Sequence, residues 1–154
     1  MKGVYAIIAD IDKTWKLNVG KLGFISLSPG TYVYAGSAMG TGSTSLENRI
    51  KRHFSPIKTI HWHIDYLIEK ATSIQAWYAE SDVKRECELS QAMEQSKYFK
   101  VTILGFGSSD CRERCKSHLY RYVGGADIFS NLVEFFPNLE SKFTTDGNIQ
   151  EAEE

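Results

Sequence analysis

The stretch 29–54, PGTYVYAGSAMGTGSTSLENRIKRHF, dictates a strand, a loop and a helix in succession. Pro29 and Gly30 form a turn signal. Residues 31–38 mix aromatic and β-branched residues in alternation, the pattern of a strand. The glycines and hydroxyl residues of 36–45 give a loop that overlaps its end. Ser45 is placed to cap a helix, in which Leu46, Ile50 and Phe54 recur every four residues. Pro56 disfavours helix in the residue before it, so the helix spans about 45–55. Arg49 and His53 are also four apart and share a face just beside the apolar stripe, at the edge of the core and turned toward the loop.

The other segments are short and closely connected. Strands are predicted over 2–11, 14–19, 22–27, 73–79, 100–104 and 118–123, with helices over 59–70, 82–95 and 126–136 and a turn over 105–110. The first strand is apolar at successive positions, which implies burial on both faces. Tight connections favour antiparallel pairing. The expected fold is α/β (α+β): a small, mostly antiparallel central sheet flanked by helices, with a C-terminal strand and helix extension. Residues 1–138 form the expected single domain, and 139–154 an acidic, flexible tail.

Charge is unevenly distributed. The net charge is −1, but Glu140, Asp146, Glu151, Glu153 and Glu154 against Lys142 leave the tail at −4 and the rest at +3. The chain thus lacks the global basic signature of many nucleic-acid binders. No run approaches the roughly 18 apolar residues of a membrane span, and no basic-then-apolar signal opens the sequence. Three cysteines do not make a secreted disulfide framework, so the expected compartment is the reducing cytoplasm, with no membrane partner.

Several polar clusters stand out. His61 and Asp65 are four apart on a predicted helix, and an orienting hydrogen bond is the favoured reading over a shared metal. His63 is expected to fix the fold near the sheet edge. Cys111, Cys115 and His118 are spaced C-x3-C-x2-H, and Cys87 offers a fourth donor, a candidate structural Zn²⁺ set. The alternative is buried free cysteines that pack as small hydrophobes. Glu86 and Glu88 lie two apart on the third predicted helix and so point in nearly opposite directions.

The ordered set GVY…GTYVYAGSA…NRIKRHF…HWHIDYL…ECEL…GFGSSDC…SHLY resembles the GIY-YIG nuclease superfamily, in its Uri-type (UvrC/intron-type endonuclease-like) branch, over roughly residues 2–123. The two signature triplets read Gly3-Val4-Tyr5 and Tyr34-Ala35-Gly36, conservative departures from GIY and YIG. The resemblance implies a metal-dependent DNA endonuclease of repair or processing, with one helical glutamate binding Mg²⁺ or Mn²⁺. In related members apolar residues stand three before and three after that glutamate. Val83 and Leu89 bracket Glu86 in this way, which favours Glu86 and keeps Glu88 as the alternative. The resemblance further implies Tyr5 as general base or water-orienting group, Tyr34 as a second orienting group, Arg49 as the stabiliser of phosphoryl charge, and His53 as their hydrogen-bonding neighbour. DNA contact is then expected from Gly36, Ser37, Lys51, Arg52 and Lys58, which can hold phosphates without reading sequence. Specificity would come from DNA shape or from a partner protein or domain. The competing function is a non-catalytic nucleic-acid-binding or interaction module on the same scaffold.

Overall fold

A computed structural model describes residues 1–56, 58–108, 111–125 and 127–149. Six strands form one fully antiparallel sheet: β1 (Gly3–Ile11), β4 (Gly30–Ala38), β5 (Ser73–Glu80), β6 (Phe99–Lys100), β7 (Leu119–Tyr122) and β8 (Ser141–Thr144), in the order β6-β7-β4-β1-β5-β8. β2 (Trp15–Asn18) and β3 (Phe24–Leu27) make a separate hairpin. The helices are α1 (Leu46–Phe54), α2 (His63–Lys70), α3 (Glu86–Gln95) and α4 (Ile128–Phe135).

The apolar run of β1 serves two cores. Tyr5, Ile7, Ala9 and Ile11 face Leu46 and Ile50 of α1 and Ile64 and Leu67 of α2. Val4, Ala6 and Ile8 face Leu89 and Met93 of α3 and Leu132 and Phe136 of the α4 end. With a side-chain period of two, a strand between two helical layers must be apolar on both faces.

The register sets up the site. Tyr5 pairs with Gly36 and Ile7 with Tyr34, so Tyr5 and Tyr34 lie on the same face, one diagonal step apart. β7 pairs with β4 only over 31–34, and Ala35 N–H donates to the His118 carbonyl at 2.9 Å where the two chains part. The outer edge of β4 beyond that point is left to side chains and to the connection 101–118.

Several boundaries differ from the sequence reading. Gly36 and Ser37 belong to β4 and not to the loop. The second helix starts at His63 because the Asp65 carboxylate accepts from the N–H groups of His61 and Trp62 (both 2.9 Å) and fixes the start there. The third helix starts at Glu86, and β6 ends at Lys100, short of the strand expected over 100–104. The expected 105–110 turn and the Ala126 start of the last helix fall partly outside the described residues.

The tail is corrected over 139–149. β8 pairs with β5, Asp146 accepts from the Thr144 hydroxyl at 3.0 Å, and Ile149 packs on the α1/α2 core. Its acidic composition hid an edge strand whose one large apolar residue, Phe143, meets Phe129 at 4.3 Å between ring centroids. Glu151, Glu153 and Glu154 lie outside the described residues. No helix among the described residues is long and apolar enough to cross a membrane.

Candidate active site and metal cluster

At the open edge of β4 a cleft of about 220 Å³ is lined by Tyr5, Tyr34, Gly36, Ser37, Arg49, Trp62, Lys84, Glu86, Gly107, Cys111 and His118. β1 and β4 supply the tyrosines, α1 the arginine, and the first residue of α3 the glutamate. Gly36 makes room for this arrangement. A Cβ there would stand 2.4 Å from the Tyr5 ring carbon that bears the hydroxyl and 2.6 Å from its oxygen. Gly36→Ala should therefore cost about 1–3 kcal/mol by overpacking, read as a lower urea midpoint with unchanged slope. An unchanged midpoint would mean that the Tyr5 ring is free to move aside.

Tyr5 Oη and His53 Nε2 are hydrogen-bonded at 2.8 Å in a buried setting. Burial, with the nearby Tyr34, pushes the Tyr5 phenol well above its ordinary range, while Arg49 pulls against this. Burial likewise pushes Tyr34 up to about 12, so both phenols are protonated at neutral pH. His53 is 1% exposed, and its Nδ1 has no hydrogen-bond partner among the described residues. Burial pushes its pKa down to about 3; Asp65 opposes this, and Arg52, Lys58 and Arg49 add to it.

A neutral buried imidazole makes a stability prediction. Below pH 6.5 the unfolded chain takes up a proton on His53 and the folded chain does not until near pH 3. This group's contribution is thus fully present above pH 6.5 and is lost as the pH falls toward 3. The parent should lose about 2 kcal/mol relative to His53→Gln between about pH 8 and pH 5 in urea unfolding. Parallel pH profiles would show that His53 takes up its proton in the folded protein.

Glu86 is oriented by β4. The Ser37 hydroxyl donates a short hydrogen bond to its carboxylate and accepts from the backbone N–H groups of Glu86 (3.2 Å) and Arg85 (3.4 Å). Lys84 Nζ is 3.3 Å from the other carboxylate oxygen. Ser37, an expected DNA contact, lines the cleft and also braces the glutamate and the start of α3. Glu88 is mostly exposed and bound by both oxygens to the Arg85 guanidinium at 2.8 and 2.9 Å, away from the cleft. Of the two candidate metal ligands, only Glu86 lines the cleft.

Arg49 lies 4.7 Å over the Trp62 ring and donates to the Ser37 carbonyl at 3.4 Å. Arg52 lies 4.3 Å over the same ring. It is held by a double hydrogen bond, 3.0 Å to each oxygen, to the fully buried Asp65 carboxylate, whose pKa stays below the usual range against the cost of burial. Lys58 donates to the His53 and Ser55 carbonyls at 3.0 and 2.9 Å. Arg52 and Lys58 therefore fasten the α1–α2 connection and are not free phosphate contacts. Lys51 is exposed. Asp65 serves Arg52 and two backbone N–H groups, so it does not form a metal pair with the His61 ring. His63 Nδ1 accepts from Gly107 N–H at 2.8 Å and ties the 105–108 segment to α2.

Trp62, Lys84 and Gly107 were missed as cleft residues. Trp62 looks like an ordinary apolar helix position, and a lysine two residues before a glutamate looks solvated. Gly107 sits at φ +69°, where a Cβ would meet the Tyr34 ring at 2.7 Å. Only the glycine-rich turn hinted at it.

The four sulfur and imidazole donors converge. One ligand atom each from Cys87, Cys111, Cys115 and His118 lies within 4.8 Å of all the others, a group that can hold a metal ion. The Cys87 and Cys111 sulfurs are 3.0 Å apart, and Cys87 Sγ is 3.6 Å from His118 Nε2. Burial pushes the Cys87 thiol up, whereas hydrogen bonds from Cys87 and Cys115 outweigh burial at Cys111 and bring it down. Two of the four donors, Cys111 and His118, also line the cleft.

Compared with known proteins, the chain matches no curated protein and no solved structure. A family model matches residues 4–141, from the first strand to the start of β8, and the chain therefore belongs to the family described as domain of unknown function DUF123.

Proposed function

We propose that the protein is a metal-dependent endonuclease that hydrolyses phosphodiester bonds of DNA in the Tyr5–Arg49–Glu86 cleft. The observation that carries this reading is the convergence of two tyrosines, an arginine and a buried glutamate from four elements on one open cleft. It is the arrangement expected from the resemblance to the GIY-YIG nucleases.

The donors give two metals separate places. The Glu86 carboxylate suits Mg²⁺ or Mn²⁺, which keep several waters and need only one or two protein carboxylates. Three sulfurs and an imidazole suit Zn²⁺ in a structural role. When bound, the cation at Glu86 supplies Lewis-acid polarisation of the scissile phosphate. Arg49, fixed over Trp62, places its always-charged fork against the phosphoryl oxygens. His53, neutral with its proton on Nδ1, accepts the Tyr5 O–H and leaves a Tyr5 lone pair for the attacking water. Tyr5 Oη, held by this hydrogen bond, orients the water. As the water oxygen bonds to phosphorus, the bond from phosphorus to the leaving DNA oxygen breaks. The attacking water gives its proton to solvent, and the leaving oxygen takes one from solvent. Tyr34 orients the phosphate or water from the other side. Ser37 holds Glu86 in place throughout.

One observation favours the non-catalytic reading. The internal engagement of Arg52 and Lys58 leaves a smaller basic surface than the sequence promised, so binding would be weak without a partner chain. The test is a nicking assay on branched, single-stranded and damaged DNA with Mg²⁺ or Mn²⁺. Cleavage by the parent supports the endonuclease, and binding without cleavage supports the module.

A further inference from the structure

We propose that a zinc ion held by Cys87, Cys111, Cys115 and His118 sets the position of Glu86, so that the cation of the cleft binds well only to the zinc-loaded protein. This rests on the reading of Glu86 as the ligand of Mg²⁺ or Mn²⁺.

The four donors come from segments that little else holds together. Cys87 is in the first turn of α3. Cys111, Cys115 and His118 belong to the connection 101–118 between β6 and β7, which has no helix or strand among its described residues. A connection of this length without regular structure is uncommon in a compact domain and needs an organiser. Backbone hydrogen bonds from Gly105 to Lys116 and from His118 to Phe106 pin its base. Its far end turns at Arg114, which has φ 60° and is the one non-glycine residue in the left-handed region among the described residues. That costly conformation brings Cys115 back beside Cys111.

The distances fit one tetrahedral ion. Ligands about 2.3 Å from a zinc ion stand about 3.5–3.8 Å from one another. The 3.0 and 3.6 Å separations and the 4.8 Å limit bracket that spacing, so shifts of under about an ångström suffice. The soft donor set excludes Mg²⁺ and Mn²⁺ as preferred occupants.

The link to the cleft is covalent and short. Glu86 and Cys87 are consecutive. The start of α3 has no side-chain cap of its own at Arg85; the Ser37 hydroxyl braces it on one side and the cluster anchors it on the other. Because Cys111 and His118 also form part of the cleft wall, the same ion fixes both the carboxylate and the wall facing it. Partners that orient a ligand of this kind typically change metal affinity by about 10–100-fold.

Three measurements on the full chain test this. Zinc content of the purified protein should approach one equivalent, and replacement by Co²⁺ should give the visible bands of a tetrahedral, thiolate-rich site. Cys115→Ala should lose those bands. Mn²⁺ binding, followed by electron paramagnetic resonance, should weaken about ten-fold or more in chelator-stripped parent and recover on adding Zn²⁺, with Glu86→Gln marking the cleft signal. The stripped parent serves if Cys115→Ala does not fold. Absence of zinc and of tetrahedral cobalt bands, or a stable Cys87–Cys111 disulfide in their place, overturns the zinc site. Equal Mn²⁺ affinity with and without zinc overturns the coupling. If the zinc-loaded parent binds no Mn²⁺, the Glu86 assignment fails and the coupling with it, while the cobalt spectrum still reports on the zinc site by itself.

Discussion

Glu86→Gln is expected to remove metal-dependent cleavage while the protein stays folded and keeps its grip on DNA. The amide oxygen can still accept from the Ser37 hydroxyl, so the start of α3 keeps its brace. What is lost inside the protein is an ion pair with Lys84, whose side chain is 71% exposed, and such pairs contribute little. What is lost to the reaction is the cleft's carboxylate for an oxygen-ligated cation. Several kcal/mol of transition-state stabilisation correspond to a loss on the order of 10³ in rate. DNA affinity should hold or improve, because a negative charge facing the phosphate has gone. Glu88→Gln is the paired control. Its carboxylate faces Arg85 and solvent, so cleavage should stay within about two-fold of the parent. Single-turnover rates of the two variants separate the cases. If Glu88→Gln were inactive and Glu86→Gln active, the cation would not be held where the cleft places its carboxylate.

Arg49→Ala should lower the cleavage rate on the order of 10²–10³, the usual effect of removing one preorganised donor to a developing negative charge. Its structural cost should be small. Arg49 is partly exposed, and the substitution forfeits one long hydrogen bond to Ser37 and one cation–π contact with Trp62, which Arg52 also contacts. A contact of that kind is worth about 0.5–1 kcal/mol at a partly exposed position. The urea midpoint and far-UV spectrum should barely change. Arg49→Lys restores charge without the planar fork and should recover only part of the rate. A large loss of stability with proportionate loss of activity would instead make Arg49 a packing residue.

How far the sequence carried the structure depended on how local each signal was. The two-sided burial of β1 was legible because residues 3–9, GVYAIIA, carry no charged side chain on either face. The phasing of Leu46 and Ile50 placed Arg49 and His53 beside the core, and the His53 ring is indeed against Tyr5. The preference for Glu86 over Glu88 came from the resemblance's pattern of flanking apolar residues. Leu89 is buried within α3, whereas Val83 is exposed and precedes the helix, so only half of that pattern reflects packing. Apart from the grouping of Cys87 with Cys111, Cys115 and His118, side-chain interactions between distant segments were not legible. Nothing local tells that Arg52 and Lys58 are spent on Asp65 and on carbonyls, since an isolated basic run looks the same whether it faces solvent or a buried acid. Ser37 looked like a loop hydroxyl until the β1–β4 register put it in a strand beside α3. β8 was hidden because an edge strand needs little apolar character, and its pairing with β5 spans more than sixty residues of chain.

The most direct test of the cleft's proposed chemistry is one nicking experiment. Purified parent, Glu86→Gln and Arg49→Ala are incubated with branched, single-stranded and damaged DNA in Mg²⁺, Mn²⁺ or chelator. The account predicts cleavage by the parent that requires the divalent cation and is lost in both variants. No cleavage by the parent with either cation, or equal cleavage by all three proteins, would contradict it.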